Sequence, residues 1–223
     1  MKMPQEKIKE NRMVFITGAS GYVGSRLVPM LIENGFSVKA LVRKYSEKLN
    51  LTDSEQVIGN ALKKETFAEH IAPCGTFVQL VGTPHPGPAK KKQFYEVDLV
   101  SVTQSVEAAK SSGIEHFIYL SVAQPAPVMQ DYINVRSMGE EMIQRSGMNA
   151  TILRPWYILG PGHRWPYLLV PFYAFGRLLP PTKEAAKRLG LVTINNILNA
   201  IVHAVQNPAK GFKIMTTEEI KKF

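Results

Sequence analysis

Residues 13–24 read Met-Val-Phe-Ile-Thr-Gly-Ala-Ser-Gly-Tyr-Val-Gly, and this stretch decides the fold. Its first five residues form an apolar run of strand length, and a glycine-rich turn leads from them into a helix predicted to begin at Tyr22. Gly18 permits the tight turn, Gly21 lets a phosphate approach the backbone, and Gly24 lets the helix pack closely on the strand. The helix N-terminus offers N–H groups and a positive dipole end to that phosphate. The stretch therefore predicts a dinucleotide-binding loop, with contacts from Gly18, Ser20, Gly21, Tyr22, Val23 and Gly24.

Strands and helices alternate along most of the chain. The predicted strands are Met13–Thr17, Phe36–Val42, Gln56–Ile58, Thr76–Val81, His116–Ser121 and Ala150–Leu153. The predicted helices between them are Tyr22–Asn34, Thr66–Ile71, Phe94–Ser112 and Asp131–Ser146. This alternation is typical of an α/β fold, here a Rossmann-like, doubly wound parallel sheet with crossover helices.

The pattern changes after the sixth predicted strand. We expect Leu191–Ile194 to be extended and Asn195–Gln206 to form an amphipathic helix. The chain therefore divides into a polar N-terminal arm (1–12), an NAD(P)-binding domain (13–154) and a region of the same domain that supplies the substrate-side loop, a lid and the C-terminal helix (155–223).

The segment Trp165–Leu179 is largely apolar and contains one cation, Arg177. It is too short to span a membrane, which needs about 20 apolar residues. Such a segment suits a buried core element, a lid over an apolar substrate, a dimer contact or a stretch that lies at a membrane surface.

Composition and charge exclude several classes of protein. With 223 residues, 45% hydrophobic and 20% charged, the chain is expected to form one ordered domain. The single cysteine, Cys74, cannot form an internal disulfide or a zinc cluster, so we expect no metal. The net charge is +9, but the basic residues are scattered and no nucleic-acid module accompanies them, so we expect no nucleic-acid partner. Met1–Arg12 lacks an apolar leader, which predicts a cytoplasmic protein.

The end of the second predicted strand indicates which dinucleotide binds. Arg43 and Lys44 follow it, and no acidic residue occurs between Glu33 and Glu47. NAD-selective sites usually place a carboxylate there for the ribose 2′-hydroxyl, whereas NADP sites place a cation for the 2′-phosphate. We therefore expect NADP(H) to be preferred, with Arg43 as its contact. NAD(H) is the alternative.

The G-x-x-G-x-x-G spacing resembles that of the short-chain dehydrogenase/reductase superfamily. More narrowly, the chain resembles its atypical members, the NmrA-like NAD(P)-binding proteins related to sugar-nucleotide epimerases and dehydratases, over about Val14–Pro208. In this family Asp commonly stands where Asn60 does, and an amide can also accept a hydrogen bond from the adenine amino group. The resemblance implies that the cofactor also contacts Asn60, Ala61, Val81, Gly82 and Thr83.

The resemblance also implies a catalytic group. In the superfamily a serine ends the fifth strand and a Tyr-x-x-x-Lys motif follows on the next helix, and this chain has Ser121, Tyr132 and, in place of lysine, Arg136. Tyr132 would transfer a proton, while Arg136, one helical turn away, would stabilise charge on the phenol and hold the nicotinamide ribose. Arginine cannot release a proton to a relay. Asp98, near the place of an asparagine that orders relay water, would bind water or pair with a cation.

The same three residues also have purely structural interpretations. Tyr132 is then an ordinary helix tyrosine, Ser121 satisfies backbone groups at a strand end, and Arg136 pairs with Glu140, four residues further along the helix.

The run from Arg154 to Gly162 is similar to the loop that covers the nicotinamide in the epimerase-like branch. Pro155 and Trp156 would then flank the ring. A histidine, an arginine and a second tryptophan follow, and we expect them to form a pocket wall for a planar or anionic substrate: His163, Arg164 and Trp165. The alternative is a proline-rich connector whose tryptophans fill the core.

Two classes of function fit these observations. The first is an NADPH-dependent oxidoreductase that reduces a small carbonyl compound, a quinone or another apolar substrate. The second is a regulatory or assembly protein that senses NADP(H) without turnover, as NmrA-like relatives do. Nucleotide-sugar epimerase or dehydratase chemistry is less favoured, because the C-terminal region leaves little room for a second nucleotide.

Overall fold

The computed structural model describes residues 12–162 and 188–223, and within these ranges it contains two parallel sheets. The strands are β1 (Met13–Thr17), β2 (Ser37–Val42), β3 (Ser54–Ile58), β4 (Thr76–Gln79), β5 (His116–Leu120), β6 (Asn149–Arg154), β7 (Tyr157–Leu159), β8 (Leu191–Thr193) and β9 (Phe212–Thr216). The main sheet has the order β3-β2-β1-β4-β5-β6-β9, and all its strands are parallel. β7 and β8 form a separate parallel pair. The predicted Rossmann-like sheet is therefore confirmed.

Helices cover both faces of the main sheet. They are α1 (Gly24–Glu33), α2 (Val100–Ser111), α3 (Gln130–Ser146), α4 (Ile194–Gln206) and the short α5 (Thr217–Ile220). Ile16 of β1 packs with Leu27 of α1 and Ile201 of α4 in one buried cluster. Phe15 faces the opposite layer, where its ring centroid lies 5.2 Å from that of Phe77, in a cluster shared with α2 and α3. Because both faces are buried, the central strands are continuous apolar runs.

The predicted helix Phe94–Ser112 is divided into two parts. A short helical turn, Lys91–Gln93, leads into a π-helical segment, Phe94–Leu99, and α2 begins only at Val100. Such π-helical turns occur frequently at functional sites. Here the turn carries Asp98, whose carboxylate is buried beside the loop that follows β4.

The first helix begins at Gly24 rather than at Tyr22, and the third strand begins at Ser54 rather than at Gln56. Two further predicted elements differ in type or in where they end. The helix expected at Thr66–Ile71 is a pair of 3₁₀ turns, Lys64–Thr66 and Ala68–His70. The Thr66 hydroxyl donates to the Lys63 carbonyl and accepts from the Asn60 N–H, and such side-chain bonds compete with a regular helix. β4 ends at Gln79 rather than at Val81, and the Val81 N–H donates to the Gln79 side chain instead of to a strand.

The main sheet continues beyond residue 154. β9 pairs with β6, with Ile214 opposite Ile152, so a strand from the C-terminal region completes the sheet. The C-terminal helix is present as predicted and begins at Ile194. A capping box starts it, because the Thr193 hydroxyl accepts from the Asn196 N–H.

Part of the predicted substrate side lies outside the described residues. This holds for residues 1–11 of the arm, for His163, Arg164 and Trp165, and for the apolar segment Trp165–Leu179. Within the described ranges, no helix is both long and apolar enough to cross a membrane.

Candidate functional site

The glycine-rich loop joins β1 to α1 and requires glycine at two positions. Gly18 has φ +75°, and a Cβ there would lie 2.9 Å from the Leu80 carbonyl carbon. A Cβ on Gly24 would lie 2.3 Å from the Gly18 oxygen, so a side chain would push the helix off the strand. Ser20 and Gly21 form the exposed tip of the loop. The glycines therefore serve the turn and the packing that the sequence predicts.

The start of α1 fits a dinucleotide pyrophosphate. Its N-cap residue, Val23, makes no side-chain capping bond, and its first turn carries no acidic residue. The positive dipole end of the helix is therefore not neutralised by its own side chains, and its first N–H groups lack a capping oxygen. The Val23 side chain packs in the core, so this residue can contact a cofactor only through its backbone. Tyr22 is half-buried, with the Arg26 guanidinium 4.3 Å from its ring centroid.

The adenine side of the predicted site lies at the ends of β2 and β3. Arg43 and Lys44 are exposed just beyond β2, where a 2′-phosphate can reach them. The Asn60 side-chain oxygen accepts from the Leu62 N–H at 3.0 Å, and its second lone pair can still accept from an adenine amino group. Ala61 is half-buried at the edge of the core. The assignment of these residues to the cofactor stays a prediction.

The loop after β4 surrounds a buried ion pair. The Arg136 Nη2 donates to the Asp98 Oδ1 at 2.7 Å, and the Thr83 N–H and hydroxyl donate to the Asp98 Oδ2 at 2.9 and 2.6 Å. A Cβ on Gly82 would lie 2.2 Å from the Arg136 Nη2. Gly82 therefore makes room for the guanidinium, a role that the predicted cofactor contacts of Val81, Gly82 and Thr83 did not include.

These contacts correct one interpretation of Arg136, its pairing with Glu140. The guanidinium pairs with Asp98 and not with Glu140, so Asp98 serves as the partner of a cation. Its Nη1 donates to the Leu120 carbonyl at 3.1 Å and to the Tyr119 hydroxyl at 3.3 Å. The Nη1 thus uses both of its hydrogens within the protein, whereas these contacts use one hydrogen of the Nη2. The assignment of Arg136 to the ribose hydroxyls stays a prediction. The Nε is buried without a partner among the described residues, so the Nε hydrogen and the second Nη2 hydrogen are the donors that remain for a ligand.

Tyr132 stands between an aromatic ring and a cation. Its ring centroid lies 5.1 Å from that of Phe94, and the Arg136 guanidinium carbon lies 5.1 Å from the Tyr132 centroid. A guanidinium at this distance is attracted to the ring face. Phe94 and Arg136 therefore hold the tyrosine ring in one orientation.

Ser121 is tied to a buried acid that the sequence analysis did not assign to the site. The Ser121 hydroxyl donates to the Glu140 carboxylate, which also accepts from the Gln124 amide at 3.0 Å. Arg154 pairs with the same carboxylate, with its Nε 3.1 Å from each oxygen. The sequence signal was available in part, because Arg154 ends the strand beside β5 and Glu140 lies two turns beyond Tyr132.

These side chains meet at a cavity of about 440 Å³ at the carboxyl ends of β4, β5 and β6. Ser121, Tyr132 and Arg136 line it, as do Pro155 and Trp156, so the structure brings together the residues predicted for the nicotinamide side. Much of the remaining wall is apolar, from Leu80, Leu120, Val122, Met129 and Ile158.

The cavity wall also contains strained backbone. Among the described residues, His85 (φ 48°) and Met129 (φ 61°) are the non-glycine residues with positive φ, and both line the cavity. Strain of this kind concentrates at functional sites. His85 was not predicted as a site residue. Residues 12–162 and 188–223 hold no cluster of acidic, histidine and cysteine side chains suited to a metal ion.

Comparison with known proteins defines the class. Residues 18–164 match the model of a family described as NAD(P)H-binding, and the match covers more than half of the chain. The chain therefore belongs to this NAD(P)H-binding family, and the resemblance to atypical short-chain dehydrogenases/reductases and epimerase-related proteins is confirmed.

Several individual proteins are similar to the chain. It is 29% identical over 152 residues to the uncharacterized sugar epimerase YhfK of Bacillus subtilis (strain 168), covering 64% of this chain and 70% of the relative. It is 24% identical to the ceramide reductase of Caulobacter vibrioides (strain NA1000 / CB15N), covering 89% of this chain and 62% of the relative. It is 26% identical to the photosystem II assembly factor Ycf39 of Cyanophora paradoxa, covering 63% of this chain and 44% of the relative. The chain thus spans less than two thirds of the last two proteins.

A solved structure has the same fold. The Bordetella bronchiseptica enzyme WbmH, crystallised in complex with NAD⁺, superposes with a TM-score of 0.69 at 22% identity. The superposition covers 92% of this chain and 75% of that protein.

Proposed function

We propose that this protein uses NADPH to reduce the carbonyl group of a small apolar compound, with Tyr132 as the proton donor. The observation that supports this most strongly is the meeting of Tyr132, Ser121 and Trp156 in one largely apolar cavity. In an open α/β sheet, ligands bind at the carboxyl ends of the strands, which is where this cavity lies. The similarity of the chain to a protein named ceramide reductase is consistent with this proposal.

The residues of the chain divide the work of this reaction. Pro155 and Trp156 would hold a nicotinamide, which would supply the hydride for the carbonyl carbon of the substrate. Tyr132 donates its hydroxyl proton to the carbonyl oxygen, and the product is an alcohol. The apolar wall excludes water and orients the substrate. Arg136 and Phe94 are positioning residues, because they contact the Tyr132 ring.

The preference for NADP(H) over NAD(H) belongs to this proposal. Its support is the exposed guanidinium of Arg43 at the end of β2 and the absence of any acidic residue from 34 to 46. The phosphate group that distinguishes the two cofactors suits an arginine there. The proposal also includes that the protein acts in the cytoplasm and that its partner is a small-molecule substrate.

A specific observation favours a second function, NADP(H) sensing without turnover. Ser121 donates its only hydroxyl hydrogen to Glu140, and both terminal nitrogens of Arg136 are engaged within the protein. Arg136 also stands where the superfamily motif has lysine, and arginine cannot release a proton to a relay. The similarity to an assembly factor is consistent with this alternative. Epimerase or dehydratase chemistry on a nucleotide sugar stays the third candidate.

NADPH oxidation separates the three functions. Purified protein is mixed with NADPH and each member of a panel of quinones, aldehydes, ketones and sugar nucleotides, and the fall in NADPH absorbance is followed. Oxidation with an apolar carbonyl compound supports the reductase. Tight NADPH binding without oxidation by any member supports the sensor. Conversion of a sugar nucleotide without net NADPH oxidation supports the epimerase.

A further inference from the structure

The hydrogen of the Ser121 hydroxyl points toward the Glu140 carboxylate. Its acceptor is Glu140, and the other groups around that carboxylate are all donors, the Gln124 amide and the Arg154 guanidinium. Glu140 is buried and ion-paired with Arg154, so it only accepts hydrogen bonds. Ser121 must therefore be the donor in its bond with Glu140.

The orientation of this hydrogen decides whether Ser121 donates or accepts a hydrogen bond in the cavity. A serine hydroxyl has one hydrogen and two lone pairs. Because the hydrogen is used inside the protein, the Ser121 Oγ can only accept a hydrogen bond from a ligand in the cavity that it lines. Turning the hydroxyl outward would take a donor from a buried carboxylate, which carries a free-energy cost. Tyr132 lines the same cavity, and the proposed function assigns its hydroxyl as the donor to the carbonyl oxygen.

We propose that the substrate carries a hydrogen-bond donor, a hydroxyl or an amide N–H, on the atom next to its reacting carbonyl. This inference rests on the proposed reductase function and narrows its substrate class to α-hydroxy or α-amido carbonyl compounds. Tyr132 donates to the carbonyl oxygen, and Ser121 accepts from the neighbouring donor. Glu140 and Arg154 act through Ser121 and are positioning residues.

The binding of two ketones of similar shape tests whether Ser121 acts as a hydrogen-bond acceptor, and it requires no turnover. The NADP⁺-saturated protein is titrated by calorimetry with 2-hydroxyacetophenone and with 2-methoxyacetophenone, which differ in whether the side group can donate. We expect wild type to bind the hydroxy ketone about tenfold more tightly, as befits one hydrogen bond. Ser121→Ala should bind the two ketones equally. Ser105→Ala, which removes a buried hydroxyl from α2 away from the cavity, should keep the preference.

Failure of the inference has a distinct signature. Equal binding of the two ketones by wild type, or a preference that persists in Ser121→Ala, overturns it. Glu140→Gln adds a second readout, because its amide can donate to Ser121 and release the serine hydrogen toward the cavity. That variant should lose the preference for the hydroxy ketone or reverse it. An unchanged ratio of the two dissociation constants would contradict the role of Glu140 in positioning Ser121. If Glu140 had only a structural role, Glu140→Gln would weaken the binding of both ketones to the same extent.

The same ketones separate this inference from the reductase proposal. Selective binding of the hydroxy ketone without NADPH oxidation by either ketone supports the polarity of Ser121 and counts against the reductase. Oxidation of NADPH by both ketones with equal binding supports the reductase and overturns the acceptor role of Ser121.

Discussion

Arg136 and Asp98 form an ion pair in which the Nη2 lies 2.7 Å from the Oδ1, and their side chains are 5% and 0% exposed. The pair joins α3 to the π-helical segment before α2, and it holds the loop after β4 through Thr83. Because Arg136 also lies under the Tyr132 ring, the pair links the loop to the proposed proton donor.

The first prediction concerns the stability that this pair provides. Asp98→Ala should lower the free energy of unfolding by about 3–5 kcal/mol, because it leaves a buried guanidinium without its counter-charge. Urea denaturation at neutral pH measures the change. Glu96→Ala, which breaks the exposed pair with Lys92, should have little effect. Similar unfolding midpoints for the two variants would contradict the importance of the buried pair.

The second prediction compares two glycines of the loop after β4. Gly82→Ala should lower the free energy of unfolding by about 1–3 kcal/mol, because its Cβ would meet the Arg136 Nη2 and force the guanidinium to move. A Cβ on Gly87 would meet nothing within 4 Å, so Gly87→Ala is the matched control. Thermal unfolding of both variants checks this. An equal loss of stability at both positions would contradict the role of Gly82 in making room for the Arg136 guanidinium.

The third prediction tests cofactor choice at Arg43. Arg43→Ala should weaken NADPH binding by about tenfold or more, because it removes a charge-assisted hydrogen bond to the 2′-phosphate. NADH binding should be nearly unchanged, since NADH lacks that phosphate. Calorimetric titration of each cofactor measures both effects, with exposed Lys48→Ala as the control. A wild-type protein that binds NADH more tightly than NADPH would contradict the assignment.

The fourth prediction is a pH dependence that arises far from the cavity. His116 is buried at the start of β5, and burial lowers its pKa to about 4. Below about pH 6.5 the unfolded chain protonates this histidine while the folded chain does not, so stability falls as pH drops from about 6.5 toward 4. Between pH 7 and pH 5 this site should cost about 2 kcal/mol at most.

His116→Gln isolates that effect from the titration of carboxyl groups. Urea denaturation at pH 7 and pH 5 should show a smaller loss for this variant than for wild type. His70→Gln, at a partly exposed site, should behave as wild type does. An identical loss for wild type and His116→Gln would exclude the buried histidine as a source of the pH dependence.

The presence of the central strands, which are buried on both faces, was predictable from the sequence. β1 has the predicted bounds, Met13–Thr17, because its apolar run is bounded by Gly18. The edge strand β9 was not predicted, because its exposed Lys213 and Thr216 interrupt the apolar pattern. Its place in the sheet depends on pairing with β6, a long-range contact that local pattern does not report.

The sequence predicted which residues line the site, but it did not predict their ion pairs. Ser121, Tyr132 and Trp156 meet at the cavity as expected from the ends of β5 and β6. Local spacing suggested Glu140 as the partner of Arg136, because they lie one turn apart on α3. The structure instead pairs Arg136 with Asp98, which the π-helical turn brings within reach across 38 positions of sequence. Short-range rules do not predict that turn.

The most direct test of the proposed reductase is the turnover of Tyr132→Phe. This variant keeps the ring between Phe94 and Arg136 and loses only the hydroxyl. With a carbonyl substrate found in the panel, the kcat for NADPH oxidation should fall by about 10²–10⁴-fold, while NADPH affinity stays within about twofold of wild type. Tyr95→Phe, at an exposed position of the π-helical segment, should retain wild-type turnover. Full turnover by Tyr132→Phe would contradict the role of Tyr132 as proton donor.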